Sequence, residues 1–453
     1  MRTMRWAMLL LTSAFASECA RAQEQQEVAF RAGVTATYSD NPARTPTGQS
    51  ATALDGLVGL SLAHQSPMLY VDADAAVVQR AYVEGDLPSE TIPSGYVNLL
   101  AGPAAGLFNW TVLDTFGQMS SEPFAALYAA DRQNLNVLST GPNVRIPLDS
   151  HDHLDLSGRY GLDSFGDSTL DDENYTGKMT LAHDFNPGSQ IGLVYAYQRI
   201  DFREVALGAA EIEQGYARYW LVGARSYVVL EGGADQLEHT ALPHEHTGHA
   251  LALLQRRLTE SLTFEAAYRH GYTDTANAFV ASARDEFTAA TDQTVQALAL
   301  PFEESEGYAE LTRSMGRLLA ALQVTASHES YPNDPTSERR TWGSNLAADY
   351  QLSSKLSLVL RGGYWDEKFP STEQGGHWVD GSVGLRRKLG YSLDLSLLVE
   401  RTRGVGSVIN GGFAEDRAIL ALTYTPGVER LQRVYDTNAP FRFYDRPVLP
   451  PPH

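Results

Sequence analysis

The sequence has little cysteine and no long apolar run, and these absences exclude several classes of protein. Its single cysteine, Cys19, cannot form an internal disulfide or a thiolate metal cluster. Beyond position 22 no apolar run reaches the roughly 18 residues of a membrane-crossing helix, which excludes a helical membrane protein. Basic residues are also scarce: 35 Lys and Arg against 55 Asp and Glu give a net charge of -20. This balance argues against nucleic acid as a partner.

The N-terminus has the layout of a secretory signal peptide. Arg2 and Arg5 precede an apolar run over 6–16, which is too short for a bilayer span of about 20 residues. Small residues one and three positions before the cut predict cleavage after Ala22. A lipid anchor on Cys19 is the alternative, but the acidic residue before it fits that processing poorly. We therefore predict a signal peptide over 1–22 and an exported chain.

Period-two alternation of apolar and polar residues dominates the chain from about residue 27 to 425. Between 154 and 162, for example, Leu154, Leu156, Tyr160 and Leu162 alternate with polar residues and glycine. Such alternation is typical of half-buried β-strands. A membrane-spanning barrel has the same pattern, because only every second residue of a strand faces lipid. The ordinary hydrophobic content of 43% is therefore compatible with a membrane location.

The connections between the alternating segments are short and long by turns, as in outer-membrane barrels. We predict an all-β, transmembrane, antiparallel up-and-down β-barrel of about 20 strands, within a range of 16–22. The even number places both ends of the barrel domain on the periplasmic side. The predicted strands are 27–39, 53–65, 68–82, 94–103, 106–118, 132–147, 153–164, 174–185, 189–203, 212–224, 226–238, 246–257, 261–273, 306–315, 317–330, 339–352, 355–367, 376–388, 391–402 and 413–425.

The predicted domains are the signal peptide, a barrel over 23–426, and a periplasmic or lumen tail over 427–453. The connection 274–305 is too long for a plain loop and is predicted either to fold into the lumen as a constriction or to cap the outside. About 20 strands leave a lumen that is wet or plugged. The polar phase of the alternation supplies its candidate lining residues: Asp72, Asp74, Asp155, Arg159, Glu265, Arg269, Lys355, Arg361, Asp394 and Glu400.

Three segments resemble a family of bacterial outer-membrane barrels associated with PEP-CTERM/exosortase and exopolysaccharide gene clusters. They are Thr35 to Pro46 (TATYSDNPARTP), Asp131 to Leu148 (DRQNLNVLSTGPNVRIPL) and Phe413 to Gly427 (FAEDRAILALTYTPG). Their order and spacing match over nearly the whole mature chain. Pro42 and Asp416 depart from the pattern, which has an apolar residue and an asparagine there. The resemblance implies a role in export or assembly of surface polysaccharide and supplies no catalytic residue.

Two groups of histidines are candidate metal sites, but a structural role fits both of them better. His239, His244, His246 and His249 could bind zinc or copper, but they map to a loop and a strand start without a carboxylate–histidine motif. His151, with the nearby His153, flanks a tight turn, where histidine is an ordinary residue. Neither group is predicted to be a metal site.

The sequence offers two further candidates, a catalytic serine–histidine pair and a calcium site. Ser327 and His328 are neighbours in a strand, so their side chains point to opposite faces and cannot pair. The acidic patch of Asp163, Asp167 and 171–173 could take calcium, but its spacing lacks an EF-hand pattern and a solvated charged loop explains it better. We predict no catalytic, cofactor-binding or metal site and no cofactor.

The function predicted from these features is that of an outer-membrane, porin-like barrel supporting exopolysaccharide export or solute passage. One alternative is a plugged structural or interaction barrel whose outer loops bind glycan. The other is an outer-membrane enzyme. The expected partners are outer-membrane lipid and lipopolysaccharide, together with exopolysaccharide or export components, and no nucleic acid.

Overall fold

The chain forms a single antiparallel sheet of twenty strands in a computed structural model. The structure describes residues 25–84, 87–104, 106–120, 132–166, 171–203, 208–240, 244–274, 276–277, 301–332, 337–406 and 412–426. The predicted signal peptide, the predicted tail and most of the connection 274–305 lie outside these residues. No helix among the described residues is long and apolar enough to span a membrane.

The strands follow the chain in order and each runs for 12 to 16 residues. They are β1 Gln25–Ser39, β2 Ala51–Gln65, β3 Leu69–Tyr82, β4 Glu90–Ala101, β5 Phe108–Ser120, β6 Arg132–Pro147, β7 Asp152–Phe165, β8 Asp172–Asn186, β9 Ser189–Phe202, β10 Ala209–Val222, β11 Ser226–His239, β12 Glu245–Thr259, β13 Leu262–Thr273, β14 Phe302–Met315, β15 Leu318–Ser330, β16 Arg339–Ser353, β17 Leu356–Phe369, β18 Gln374–Lys388, β19 Leu393–Gly406 and β20 Phe413–Tyr424.

The alternation in the sequence separates the two faces of the sheet. On β1, Val28, Phe30 and Val34 are exposed, whereas Ala29 between the first two is buried. On β9, Leu193 is 65% exposed and Val194 beside it only 4%. Apolar side chains that stay exposed on the same face of successive strands form the surface that hydrocarbon would cover. This face is called the outward face below, and the opposite one the inner wall.

Each strand pairs with its chain neighbours, and β1 pairs with β20 to close the ring. Closure gives every strand two partners, the condition for a sheet to cross lipid without an unpaired edge. The β1–β20 pairing runs from Ala32 opposite Tyr424 to Ser39 opposite Arg417. Both ends of the described barrel, Gln25 and Tyr424, thus lie at the same rim.

Side chains also stabilise the β1–β20 pairing at the rim that carries the longer connections. The Ser39 hydroxyl donates to Glu415 at 2.7 Å, and Arg44 Nε donates to the same carboxylate at 3.1 Å. The amide of Asn41 bridges the turn after β1 to Ala414 O at 3.0 Å. Two of the segments that carry the family resemblance, 35–46 and 413–427, therefore meet at the point where the barrel closes.

The predicted fold class is confirmed. All twenty predicted strands overlap the observed ones, and β6 has the predicted bounds. The largest errors are four residues, at the starts of β4 and β14 and at the end of β19. There the polar residues of the longer connections continue the ladder beyond the apolar alternation, so period-two counting stops too early.

Candidate functional site

Nine of the ten candidate lining residues lie on strands, on the inner wall. They are Asp72, Asp74, Asp155, Arg159, Glu265, Arg269, Arg361, Asp394 and Glu400. The tenth, Lys355, was placed wrongly, because it lies in the turn between β16 and β17. Strand β17 begins at Leu356, one residue after its predicted start, so Lys355 is not part of the strand wall. An open lumen beside the other nine stays a prediction.

The carboxylates near the short-turn rim are paired with arginines on the adjacent strand or on the next strand but one. Arg145 holds Asp155 through two parallel hydrogen bonds, from Nε at 2.7 Å and Nη2 at 2.8 Å. Asp74 accepts from Arg31 and from the Ser61 hydroxyl. Bidentate and charge-assisted bonds of this kind fix side chains against the wall. The sequence could not identify these pairs, because each joins strands whose relative register is invisible to periodicity.

Five of the other lining residues also have neighbours on the wall. Arg159 donates to Pro142 O at 3.0 Å, Arg269 binds Glu304 and Glu306, and Glu400 binds Arg417. Glu265 accepts from Gln255 and Tyr308, and Asp72 from Tyr96. The inner wall is therefore laced by charge pairs along its circumference.

A buried network near the long-loop rim is centred on Arg339. This arginine donates from Nε to Glu329 at 3.1 Å and from Nη1 to Glu367 at 3.4 Å. The exposed fractions are 8% for Arg339, 6% for Glu329 and 2% for Glu367. The Tyr331 hydroxyl donates to Glu329 at 2.6 Å, and burial raises the pKa of Tyr331 beyond its usual range. Removing the arginine would leave two buried carboxylates without their cation.

A second network surrounds His249 on β12. Its Nδ1 lies 3.0 Å from Asp235 and its Nε2 lies 3.2 Å from Glu231, while its ring stacks on Tyr216 at 4.2 Å. Arg218 also contacts Glu231, at 2.8 Å. The two carboxylates and the Tyr216 ring hold the imidazole in one orientation. His249 therefore links its own strand, β12, to β11 and β10.

The remaining members of the predicted histidine group do not join His249. His244 contacts Glu238 at 2.8 Å, and in the described chain no three His, Cys, Asp or Glu side chains are grouped to hold a metal ion. His151 lies in the turn after β6, where its backbone N–H and that of Asp152 donate to Asp149. These two bonds lower the pKa of Asp149.

Ser327 and His328 separate as expected. The Ser327 hydroxyl lies 2.5 Å from the Thr341 hydroxyl, whereas His328 Nε2 lies 3.0 Å from Glu338. The two side chains thus have different partners, and among the residues that the structure describes no histidine lies within hydrogen-bond reach of the Ser327 hydroxyl.

The acidic patch at the long-loop rim gains a member that sequence did not predict. Asp163 lies directly opposite Asp172 in the β7–β8 register, and both interact electrostatically with Asp274, which follows β13. Arg203 contacts Asp171 at 3.1 Å. Asp167, which was predicted in this patch, lies outside the described residues.

Asp274 fixes the start of the long connection against the inner wall. It accepts from Gln198 Nε2 at 2.9 Å and from the backbone N–H of Asn277 at 2.7 Å, and burial raises its pKa. Gln198 is on β9, four strands from β13, and alternates with the exposed Tyr195 and Leu193. Asp274 and Asn277 therefore lie inside the ring, next to β9.

The inner wall beside this segment is apolar and buried. Ile200, Ala210, Ile212 and Leu237 form one cluster with Tyr272, and Val229, Leu251 and Leu253 form another lower on the wall. Their exposed fractions are 4% or less, apart from that of Tyr272. Over β9–β12 the inner wall thus carries two buried apolar clusters in addition to the charged network around His249.

Comparisons with known proteins give structural likeness alone. No family model matches the chain, and no curated protein does. Among solved structures, the FrpB iron transporter from Neisseria meningitidis is 8% identical, with a TM-score of 0.45 over 87% of this chain and 82% of that one. The siderophore receptor PiuA from Acinetobacter baumannii is 10% identical, with a TM-score of 0.43 over 90% and 82%. The copper transporter OprC is 10% identical, with a TM-score of 0.45 over 90% and 82%.

Proposed function

We propose that this chain is an outer-membrane barrel that passes hydrophilic solute or polymer through its lumen without chemical change. The observation that carries the proposal is the closed ring of twenty strands, apolar and exposed outside and laced by charge pairs inside. A ring of 16–18 strands already leaves room for an aqueous channel. Pairing fixes the charges to the wall, so they can line a path without obstructing it.

The two buried apolar clusters support a second candidate, a barrel closed to solutes that serves as a scaffold. Side chains such as Val229 and Leu251, each 2% exposed on an inner wall, are sheltered from water. Asp274 and Asn277 lie inside the ring on the same side. In this candidate the outer loops bind glycan or another export component.

The association with exopolysaccharide is part of the proposal and is supported by the family resemblance alone. A strain lacking the chain should lose surface polysaccharide, and the loss should be reversed by the wild-type gene. Unchanged polysaccharide would refute this association without affecting the proposal of a pore.

Conductance of the purified chain in planar bilayers separates pore from scaffold. A pore is expected to give regular ohmic steps in the current. The absence of current through bilayers that contain the folded chain would refute the proposed pore. Deleting 278–300, which leaves β13 and β14 intact, should increase the step if the long connection constricts the lumen. The matched control is a deletion of the same kind in the connection 84–89, which should leave the step unchanged.

A further inference from the structure

The outward face of β5 carries a carboxyl group at a position where its neighbours are apolar. Phe108 and Trp110 on this face are exposed, which sets the outward phase, and Asp114 falls in that phase. Its register partners are Val97 on β4 and Leu138 on β6. Asp114 is six residues from Phe108, or about 20 Å along the strand at about 3.3 Å per residue. It therefore lies well within the part of the wall that faces hydrocarbon.

Asp114 is accompanied by further polar groups on the same face. Asn136 Nδ2 donates to Asp114 Oδ1 at 2.6 Å. Higher on the face, Gln118 Nε2 donates to Asn134 Oδ1 at 2.9 Å, and Gln118 Oε1 is buried without a hydrogen-bond donor in the described part of the chain. Acyl chains offer no hydrogen bonds, so ionisable and amide groups at this depth are costly against lipid.

The backbone of the same surface is incompletely paired. The β4–β5 ladder has seven pairs, from Gly95 opposite Phe116 to Ala101 opposite Trp110, although both strands continue towards the long-loop rim. Seven residues are fewer than the roughly 9–11 that a tilted strand needs to cross. Pro93 has no N–H to donate, and Gln118 Nε2 instead reaches Thr91 O at 3.2 Å. Unpaired backbone groups at membrane depth are tolerated where protein covers them.

We propose that this surface, formed by β4–β6 around Asp114 and Asn136, is an interface with a second copy of the chain. The surface is self-complementary: a carboxyl acceptor and an amide donor lie side by side on adjacent strands. About a two-fold axis near Asp114, the Asn136 amide of each copy would face the Asp114 carboxyl group of the other. A two-fold interface uses the same patch on both subunits, and the surrounding apolar side chains would pack around the polar centre.

Site-specific crosslinking tests which molecules meet at this surface. Leu138→Cys places a thiol opposite Asp114, and Leu193→Cys is the control on the exposed outward face of β9. Both would be made with Cys19→Ala in the full chain and oxidised in native membranes. A disulfide-linked dimer at least about tenfold more abundant for Leu138→Cys is expected. Equal yields, or adducts exclusively with a different protein, would overturn the proposal.

The mass of the purified barrel in lipid nanodiscs tests the polar pair itself. The wild type should be a dimer, and Asp114→Leu combined with Asn136→Leu should weaken association by at least about tenfold, as expected for the loss of two hydrogen bonds between the copies. Ser344→Leu, an outward polar replacement on β16, is the matched control and should stay dimeric. A heat-modifiability gel shows that each variant is folded. A monomeric wild type, a trimer, or an undiminished dimer in the double variant would refute the two-fold interface.

Discussion

The network around Arg339 gives the sharpest test of how the inner wall is stabilised. Arg339→Met keeps most of the side-chain volume but removes the cation that contacts Glu329 and Glu367. Because all three side chains are 8% exposed or less, water cannot replace the lost partner. Breaking a buried ion pair on one side costs about 3–5 kcal/mol, and we expect a loss of that size in the free energy of unfolding.

The assay is urea unfolding of the refolded barrel in detergent or liposomes, followed by tryptophan fluorescence and gel mobility. The matched control is Arg361→Met on the exposed part of β17, which should change the free energy by less than about 0.5 kcal/mol. Replacing Arg339, Glu329 and Glu367 together by apolar residues should recover most of the loss, since buried ion pairs contribute little beyond their own desolvation. An Arg339→Met barrel as stable as the control would refute the reasoning.

Three further predictions follow from the contacts on the wall and at its rims. His249→Phe preserves the stack on Tyr216 but removes both ion pairs, so unfolding should become easier by about 1.5–3 kcal/mol, measured by urea titration against Leu193→Phe. Asp149→Ala should lower the unfolding midpoint near neutral pH. Because the folded pKa of Asp149 is depressed, this difference should be complete above about pH 5 and disappear as the pH falls through the folded pKa; a difference independent of pH would contradict it. Asp274→Ala removes the hydrogen bond from Gln198 that holds the start of the long connection and should increase single-channel conductance, whereas Asp416→Ala on the outward face should not.

The fold could be predicted from sequence because one physical constraint repeats in every strand. A residue such as Leu193 faces outward and its neighbour Val194 inward, and this two-residue period is visible in the letters. The turn at 353–355 shows the limit of the method, because a lysine beside an alternating strand has the same pattern whether it begins the strand or precedes it. Lys355 was misplaced for that reason.

The contacts that give the wall its character could not be read in the same way. The bond between Asp274 and Gln198 joins residues 76 positions apart, and nothing in either neighbourhood specifies the other. Asp114 is different, because its signal was present: it stands in phase with Phe108, Trp110 and Val112. A charge on the apolar phase of a strand could have been noticed from the sequence alone.

The seam between β1 and β20 has a consequence for how the barrel comes into being. Ser39 and Glu415, which form a hydrogen bond there, are separated by 376 positions. The barrel therefore cannot close until its last strand, β20, has been added. Until then the sheet has two unpaired edge strands, and either can pair with a strand of another chain. A chain truncated before Phe413 lacks the strand that pairs with β1 and should therefore stay open, with both edges of the sheet unpaired.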